Sequence, residues 1–370
     1  MKLKVINNCQ KKFSDIYRVV PTSKTRLTFT RLDKNERVNK HNKFLITKLK
    51  KEISSDLVSS YPEFYEVYKM LADKLKVSIK NIVFTAGSDL AIKNTFELFY
   101  KKNKKVITIN PTFAMVDIYC KIFRTKQIKF GYNKNLELDV NYLYKCIDKN
   151  TCLIILANPN SPTGTLIEET IIDEILKKAK KFNIKVLVDE AYYEFSNYTC
   201  INKINNYNNL IIARTFSKMF GMAGLRCGFV ISNPKIIKEY FAIKPMYEIN
   251  SVAVKAIELI LRNFRILKSY LKEMREGETY AKNFCKKNNF QFIKCYTNFF
   301  HISFNYNPKI IQNYLYKKNF LVKGGPGVES YDDYLRISFA NKKTIASVLH
   351  KIKKFIDSKK IKSIKYQNNL

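Results

Sequence analysis

The sequence predicts an α/β protein built on a mostly parallel sheet covered by helices, and three patterns carry that expectation. Short apolar runs recur at 81–85, 105–109, 152–157, 185–188, 210–213 and 228–231. Most are apolar at consecutive positions, the pattern of strands buried on both faces. Helical stretches such as 90–100 and 167–181 separate them, giving the alternation of βαβ units. Beyond about residue 250 the texture changes to a long helical stretch over 252–287, then short strands near 299–304 and 335–338. The expected division is a large domain over 56–250 and a smaller α+β domain formed by both chain ends, 1–55 and 251–370. The tail over 351–365, with seven Lys and one Asp, reads as a fraying amphipathic helix with a solvated basic face.

The 370 residues carry 67 Lys and Arg against 31 Asp and Glu, a formal net charge of +36. Such a charge makes nucleic-acid binding the first reading. Against it, 56 of the basic residues are Lys and only 11 are Arg, Asn, Ile and Tyr are abundant, and Trp is absent. AT-rich coding produces that skew, whereas phosphate and base recognition leans on the bidentate Arg fork. No helix-turn-helix, zinc motif or RNA-binding aromatic pair is visible, so no nucleic-acid partner is expected. With 46% apolar and 14% aromatic residues the chain has ample material for a core. No apolar run approaches the roughly 20 residues of a membrane span, and Met1-Lys2-Leu3-Lys4-Val5 lacks an apolar signal core. A cytoplasmic protein without membrane partners is expected. The eight Cys are never closer than six positions, and only His41, His301 and His350 are present, so no metal site is expected.

The distinctive residues fall at the C-terminal ends of the predicted strands, where open α/β sheets place ligands. Thr85-Ala86-Gly87-Ser88-Asp89 joins the first strand to a helix starting near Leu90. Gly87 permits a tight turn, and Ser88 and Asp89 are good cap types whose following N–H groups can cradle a phosphate, although the same turn serves any capped helix. Asn158-Pro159-Asn160-Ser161-Pro162-Thr163-Gly164 follows the third run, its prolines fixing a loop that presents Asn and Ser at the sheet edge. Asp189-Glu190-Ala191-Tyr192 follows the fourth. A carboxylate at the end of a buried strand is costly unless a cation or protonated nitrogen meets it. With no His or further carboxylate cluster in view, a cationic partner is the better reading than a metal.

The last cluster runs from Arg214 through Thr215, Ser217 and Lys218 to Gly221, Gly224 and Arg226. One Lys among 56 means nothing alone. Lys218 is singled out by the hydroxyls beside it, by small residues that would let a ligand approach the backbone, and by Arg226 eight positions on. A desolvated Lys near another cation loses its proton more readily, as a Schiff-base nucleophile requires. Together the clusters ask for one ligand with a phosphate, an aldehyde and a protonated ring nitrogen, which describes pyridoxal 5′-phosphate.

The motifs run on through nearly the whole chain: Leu32-Asp33-Lys34-Asn35-Glu36, Tyr61-Pro62, Gly87-Ser88-Asp89, Pro111-Thr112-Phe113, the 158–164 loop, Asp189 to Tyr192, Ser217-Lys218 to Arg226, and Leu335-Arg336-Ile337-Ser338. In this order they resemble the fold-type I pyridoxal-phosphate aminotransferases, most closely the histidinol-phosphate aminotransferase branch. The resemblance implies a mostly parallel seven-stranded sheet in the large domain and a homodimer. It implies that Lys218 forms the Schiff base and moves a proton, that Asp189 keeps the ring nitrogen protonated, and that Tyr192 with Asn160 or Ser161 meets the phenolic oxygen. Phe113 would stack on the ring in place of the more usual Tyr. Gly87, Ser88, Asp89, Thr215, Ser217 and Arg226 would hold the phosphate, reached also by Tyr61 of the neighbouring subunit. Arg336 would clamp a substrate carboxylate, with Asn35, Arg37 and Lys323 at the substrate entrance.

Besides Phe113, four departures touch the substrate side or the ring: Ser161 stands where Asn commonly precedes Pro-Thr-Gly, Arg37-Val38 replaces Asn-Pro, Pro245-Met246-Tyr247-Glu248-Ile249 replaces the usual Pro-Tyr-Asn-Val tract, and Lys323 replaces Arg. The implied reaction is transfer of an amino group, with glutamate as donor, to a small carbonyl compound that is phosphorylated or otherwise anionic. The alternative on the same scaffold is decarboxylation of phosphoserine or phosphothreonine.

Overall fold

The computed structural model describes residues 25–367, with side chains as far as residue 359. The first 24 residues of the expected small domain lie outside the described residues. A two-residue strand, β1 (Thr30–Arg31), comes first. The main sheet then takes β2 (Ile82–Thr85), β3 (Lys105–Asn110), β4 (Lys126–Gly131), β5 (Thr151–Ala157), β6 (Lys185–Asp189), β7 (Leu210–Thr215) and β8 (Gly228–Ser232). Their order across the sheet is β2-β8-β7-β6-β5-β3-β4. The run from β7 to β4 is parallel, while β8 lies antiparallel to both β7 and β2.

Helices cover both faces, so the central strands are buried at nearly every position and read as continuous apolar runs. Phe96 of the helix Ser88–Phe99 packs with Val83, Ile211 and Val230 on one face; Phe84, Ile212, Phe216 and Phe229 belong to the core on the other. The strand missed in the sequence is β4. It is the sheet edge, half exposed, and Lys126, Gln127 and Lys129 break its apolar pattern.

The C-terminal part of the chain adds β9 (Gln291–Ile293), β10 (Phe299–Ser303), β11 (Phe320–Leu321), β12 (Lys323–Gly324) and β13 (Tyr334–Ser338). Four of these form a second, wholly antiparallel sheet in the order β12-β13-β10-β9. The fifth, β11, pairs in parallel with β1, so the N-terminal segment is stitched to the C-terminal part of the chain. The stretch expected as one helix over 252–287 is two, Ser251–Arg262 and Arg265–Lys287. At the break both Asn263 Nδ2 and the Asn263 N–H donate to Leu259 O, at 2.8 and 3.1 Å.

The final helix, Lys342–Gln367, begins well before the basic tail. Ile345, Val348, Leu349, Ile352 and Ile356 give it one buried apolar face packed on the helix Arg265–Lys287. Among the described residues no helix is long and apolar enough to cross a membrane.

Candidate active site

Strand register carries the four sequence clusters to one sheet edge. Ala157, Asp189 and Ala213 are successive cross-strand partners, and Thr85 and Thr215 both pair with Gly228. Around that edge lies a cavity of about 310 Å³. Ser88 and Asp89 line it from the first cluster, Ser161 from the second, Asp189 and Tyr192 from the third, and Thr215, Ser217, Lys218 and Arg226 from the fourth, with Phe113 at the wall. Lys34 and Glu36 close it from the N-terminal segment.

One end of the cavity is built for an anion. The helix cap is Gly87, at φ +85°, and the helix starts at Ser88 rather than near Leu90. A glycine is needed twice over. The left-handed backbone disfavours a side chain, and a Cβ would stand 3.0 Å from an Arg226 guanidinium nitrogen. Across the sheet, a Cβ on Gly228 would stand 2.7 Å from Gly87 C, so β8 and the turn are in close contact. First-turn N–H groups, which have no partner inside their helix, and the Arg226 guanidinium therefore converge. Thr215 Oγ1 donates to Ser217 Oγ at 3.0 Å and accepts the Ser217 N–H at 3.1 Å, which sets the turn leading into Lys218. Asp89 accepts the Tyr119 hydroxyl at 2.7 Å.

At the other end is Asp189, 7% exposed. Its Oδ1 accepts the Ala191 N–H at 3.1 Å. Burial pushes the carboxyl up to about 7, against the opposing pull of that N–H and of Lys218. Such a group calls for a cationic partner that the protein itself only partly supplies. Lys218 Nζ donates to Lys34 O at 3.3 Å and lies 5.5 Å from the Tyr192 ring centroid. Burial raises the Tyr192 phenol, but Lys218, a hydrogen bond from Asn35, Arg336 and Ser161 outweigh it and hold the phenol below its ordinary range.

Asn160 and Ser161 are distinguished by their surroundings. Asn160 is fully buried; its Nδ2 donates to Pro111 O at 2.9 Å and to Thr163 Oγ1 at 2.7 Å, and its Oδ1 accepts from Thr112 at 2.9 Å. With its amide engaged inside the loop, Asn160 holds the backbone, and the neighbouring Ser161 faces the cavity.

The expected substrate residues divide. Arg336 is tethered by Nη2 to Asp33 O at 2.8 Å, and among the described residues its buried Nε has no partner. Lys323 pairs with Arg336 across β12 and β13 and is exposed. Arg37 is not in the cavity: its guanidinium lies 3.6 Å above the Tyr270 ring, and a Cβ on Gly221 would come within 2.5 Å of its Cδ. Gly221 thus makes room for the N-terminal segment, not for a ligand. Asn35 also departs from the expected substrate contact, since its side-chain amide is engaged by Tyr192 and Ser338. Tyr61, 73% exposed, stacks on Tyr247 and does not line the cavity of its own chain.

Two supports escaped the sequence reading. Glu190 and Arg214, both essentially buried, form an ion pair at 2.8 Å, and Glu190 also accepts the Cys200 N–H and the Thr199 hydroxyl. The pair ties the residue after Asp189 to the residue before Thr215. His301, opposite Arg336 on β10, bonds Pro162 O at 2.9 Å; burial and the Arg336 cation push it down to about 3, so it is neutral and donates through Nε2. Neither residue type is informative without its distant partner.

The chain matches the family described as aminotransferase class I and II over residues 30–352. A histidinol-phosphate aminotransferase of Clostridium novyi (strain NT) is 31% identical over 321 residues, 82% of this chain and 88% of that one. Among solved structures, histidinol-phosphate aminotransferase from Sinorhizobium meliloti in complex with pyridoxal-5′-phosphate aligns with a TM-score of 0.82 at 20% identity, covering 94% of this chain and 97% of that chain. L-threonine-O-3-phosphate decarboxylase from Porphyromonas gingivalis aligns with a TM-score of 0.74 at 20% identity, covering 89% and 99%. These structural likenesses bear on the fold, the fold-type I arrangement. With the family match spanning most of its length, the chain belongs to the aminotransferase class I and II family.

Proposed function

We propose that the protein is an aminotransferase of the histidinol-phosphate aminotransferase type, moving an amino group from glutamate to an anionic carbonyl substrate. The observation that carries this reading is the cavity itself, which gathers Lys218, the buried Asp189 and an anion cradle at one sheet edge. Bound there, pyridoxal 5′-phosphate supplies an aldehyde for amino groups and a ring that stabilises negative charge at the substrate Cα. The residues fit it. Asp189, as a carboxylate, would accept a charge-assisted hydrogen bond from the protonated ring nitrogen and keep it protonated, which offsets the cost of its burial. The N–H groups of the Ser88–Asp89 turn, the Thr215 and Ser217 hydroxyls and Arg226 hold the phosphate.

Tyr192 and Ser161, both lining the cavity, would meet the phenolic oxygen, and Phe113, at 39% exposure, offers its π surface at the cavity wall. Lys218 would bond the aldehyde carbon in the resting enzyme, and its free amine would take the proton from the substrate Cα and deliver it to the former aldehyde carbon, two bonds away. Arg336, which stands behind the cavity lining, would meet the substrate carboxylate through its Nε, the guanidinium atom without a partner among the described residues. Lys323, exposed on the neighbouring strand, adds positive charge toward an anionic substrate. Tyr61 serves the cavity of a second subunit in a cytoplasmic homodimer, for which exposed Val58 and Tyr61 provide apolar surface.

Steady-state assays with glutamate and a panel of phosphorylated, aromatic and aliphatic carbonyl acceptors test the reading. Formation of 2-oxoglutarate, fastest with an anionic acceptor, supports it. Release of carbon dioxide from phosphoserine or phosphothreonine without an oxoacid would replace it with the decarboxylase.

A further inference from the structure

Asn35 is 3% exposed and has a left-handed backbone, φ +57°. Each of its polar groups has a partner. Its N–H donates to Ser338 Oγ at 3.1 Å, and its C=O accepts from Asn298 Nδ2 at 3.0 Å. Its side-chain Oδ1 lies 3.2 Å from Ser338 Oγ, and its Nδ2 lies 2.8 Å from Tyr192 Oη. The structure shows one direction for these bonds, in which the Ser338 proton also finds an acceptor. A main-chain N–H can only donate, so Ser338 Oγ accepts it and has its own proton left for Oδ1. With the amide oxygen turned to Ser338, the amide nitrogen is turned to Tyr192, and it too can only donate. Tyr192 Oη therefore accepts from Asn35, and the phenol's own proton must go elsewhere.

The open side of Tyr192 is the cavity, where the Ser161 hydroxyl also meets the phenol. We propose that Asn35 and Ser338 are positioning residues that aim the Tyr192 phenol proton into the cavity, toward the phenolic oxygen of the cofactor. The inference rests on the cofactor reading above and deepens it. It gives the N-terminal segment a defined part in the chemistry: a residue 157 positions from Tyr192 sets the polarity of its hydrogen bonds. It also explains why asparagine suits this position. Asn tolerates a left-handed backbone and carries a donor, whereas Asp tolerates the same backbone but carries only acceptors when ionised.

That difference supplies the test. Asn35→Asp keeps the size and backbone preference but reverses the bond, drawing the phenol proton out of the cavity toward the new carboxylate. Holoenzymes of the wild type, N35D, Y192F and N35D/Y192F are titrated with pH while the visible absorbance of the bound cofactor is followed. Thermal unfolding is recorded in parallel. Losing the aimed proton makes the cofactor's phenolate harder to form, so N35D raises the midpoint of the absorbance change by about one pH unit. In the Y192F background the N35D shift falls below half that size. Ser338→Ala moves the midpoint the same way by less, and gives the readout if N35D does not fold. An unchanged midpoint in the folded variants, or an equal N35D shift with and without Tyr192, overturns the proposal. A wild type with no Lys218-dependent cofactor absorbance overturns instead the reading of the cavity.

Discussion

Replacing Asp189 by Asn should stabilise the cofactor-free protein at alkaline pH while disabling it. Burial moves the Asp189 carboxyl from its ordinary 3.8 to about 7. Because the folded pKa is raised, the folded protein holds a proton between about pH 4 and pH 7 that the unfolded chain has lost. Stability therefore falls as pH rises through that window. Above it the penalty reaches about 4 kcal/mol, a tenfold equilibrium factor costing about 1.4 kcal/mol. The amide introduced by D189N carries no charge and can still accept the Ala191 N–H, but its own donors remain short of partners, at a cost of about 1–3 kcal/mol. The net gain for D189N is then about 2 kcal/mol at pH 8. At pH 4.5, where the wild-type group has regained its proton in the folded state, the gain is gone and the sign reverses. Urea unfolding of the cofactor-free proteins at pH 4.5 and pH 8, followed by circular dichroism, measures it. In the holoenzyme the same change removes the charge-assisted bond to the ring nitrogen and lowers kcat by about a hundredfold or more. A D189N protein no more stable than wild type at pH 8, or one with the same stability difference at both pH values, would refute the reasoning.

Removing the substrate clamp with Arg336→Gln should raise KM for the amino donor roughly ten- to a hundredfold, the loss of a charge-assisted pair, and leave the cofactor absorbance in place; initial-rate kinetics and a spectrum check both. Arg214→Met leaves Glu190 buried without its cation and should cost about 3–5 kcal/mol by chemical denaturation. The double change with Glu190→Gln should recover part of that loss.

Much of the fold was legible because burial on both faces writes a strand as a plain apolar run, as β5 and β7 do. β4 was not, because an edge strand of a parallel sheet keeps Lys and Gln on its open side. The break at Asn263 is not visible in the sequence because the apolar periodicity runs on through it. In the site, Lys218, Asp189 and the Gly87 turn were legible because each sits at a strand end with its partners close in sequence. The partners of Asn35 and Arg37 are not legible, for the opposite reason. Asn35 meets Ser338 303 positions away, and Arg37 finds Tyr270, contacts made only when the chain ends come together. Asn160 and Ser161 are adjacent in sequence, and only the loop's internal hydrogen bonds decide which faces the cavity. The +36 charge, the most prominent number in the composition, belongs to a Lys background that the cavity does not need.

The most direct measurement is a half-reaction. Purified protein loaded with pyridoxal 5′-phosphate is mixed with glutamate alone, with no acceptor, and the spectrum is followed beside a Lys218→Met control. Transamination through Lys218 requires the aldehyde form of the cofactor to give way to the amine form with one equivalent of 2-oxoglutarate, and requires the control to stay unchanged over the same time. A wild-type spectrum unmoved by glutamate or by any other common amino donor would contradict it.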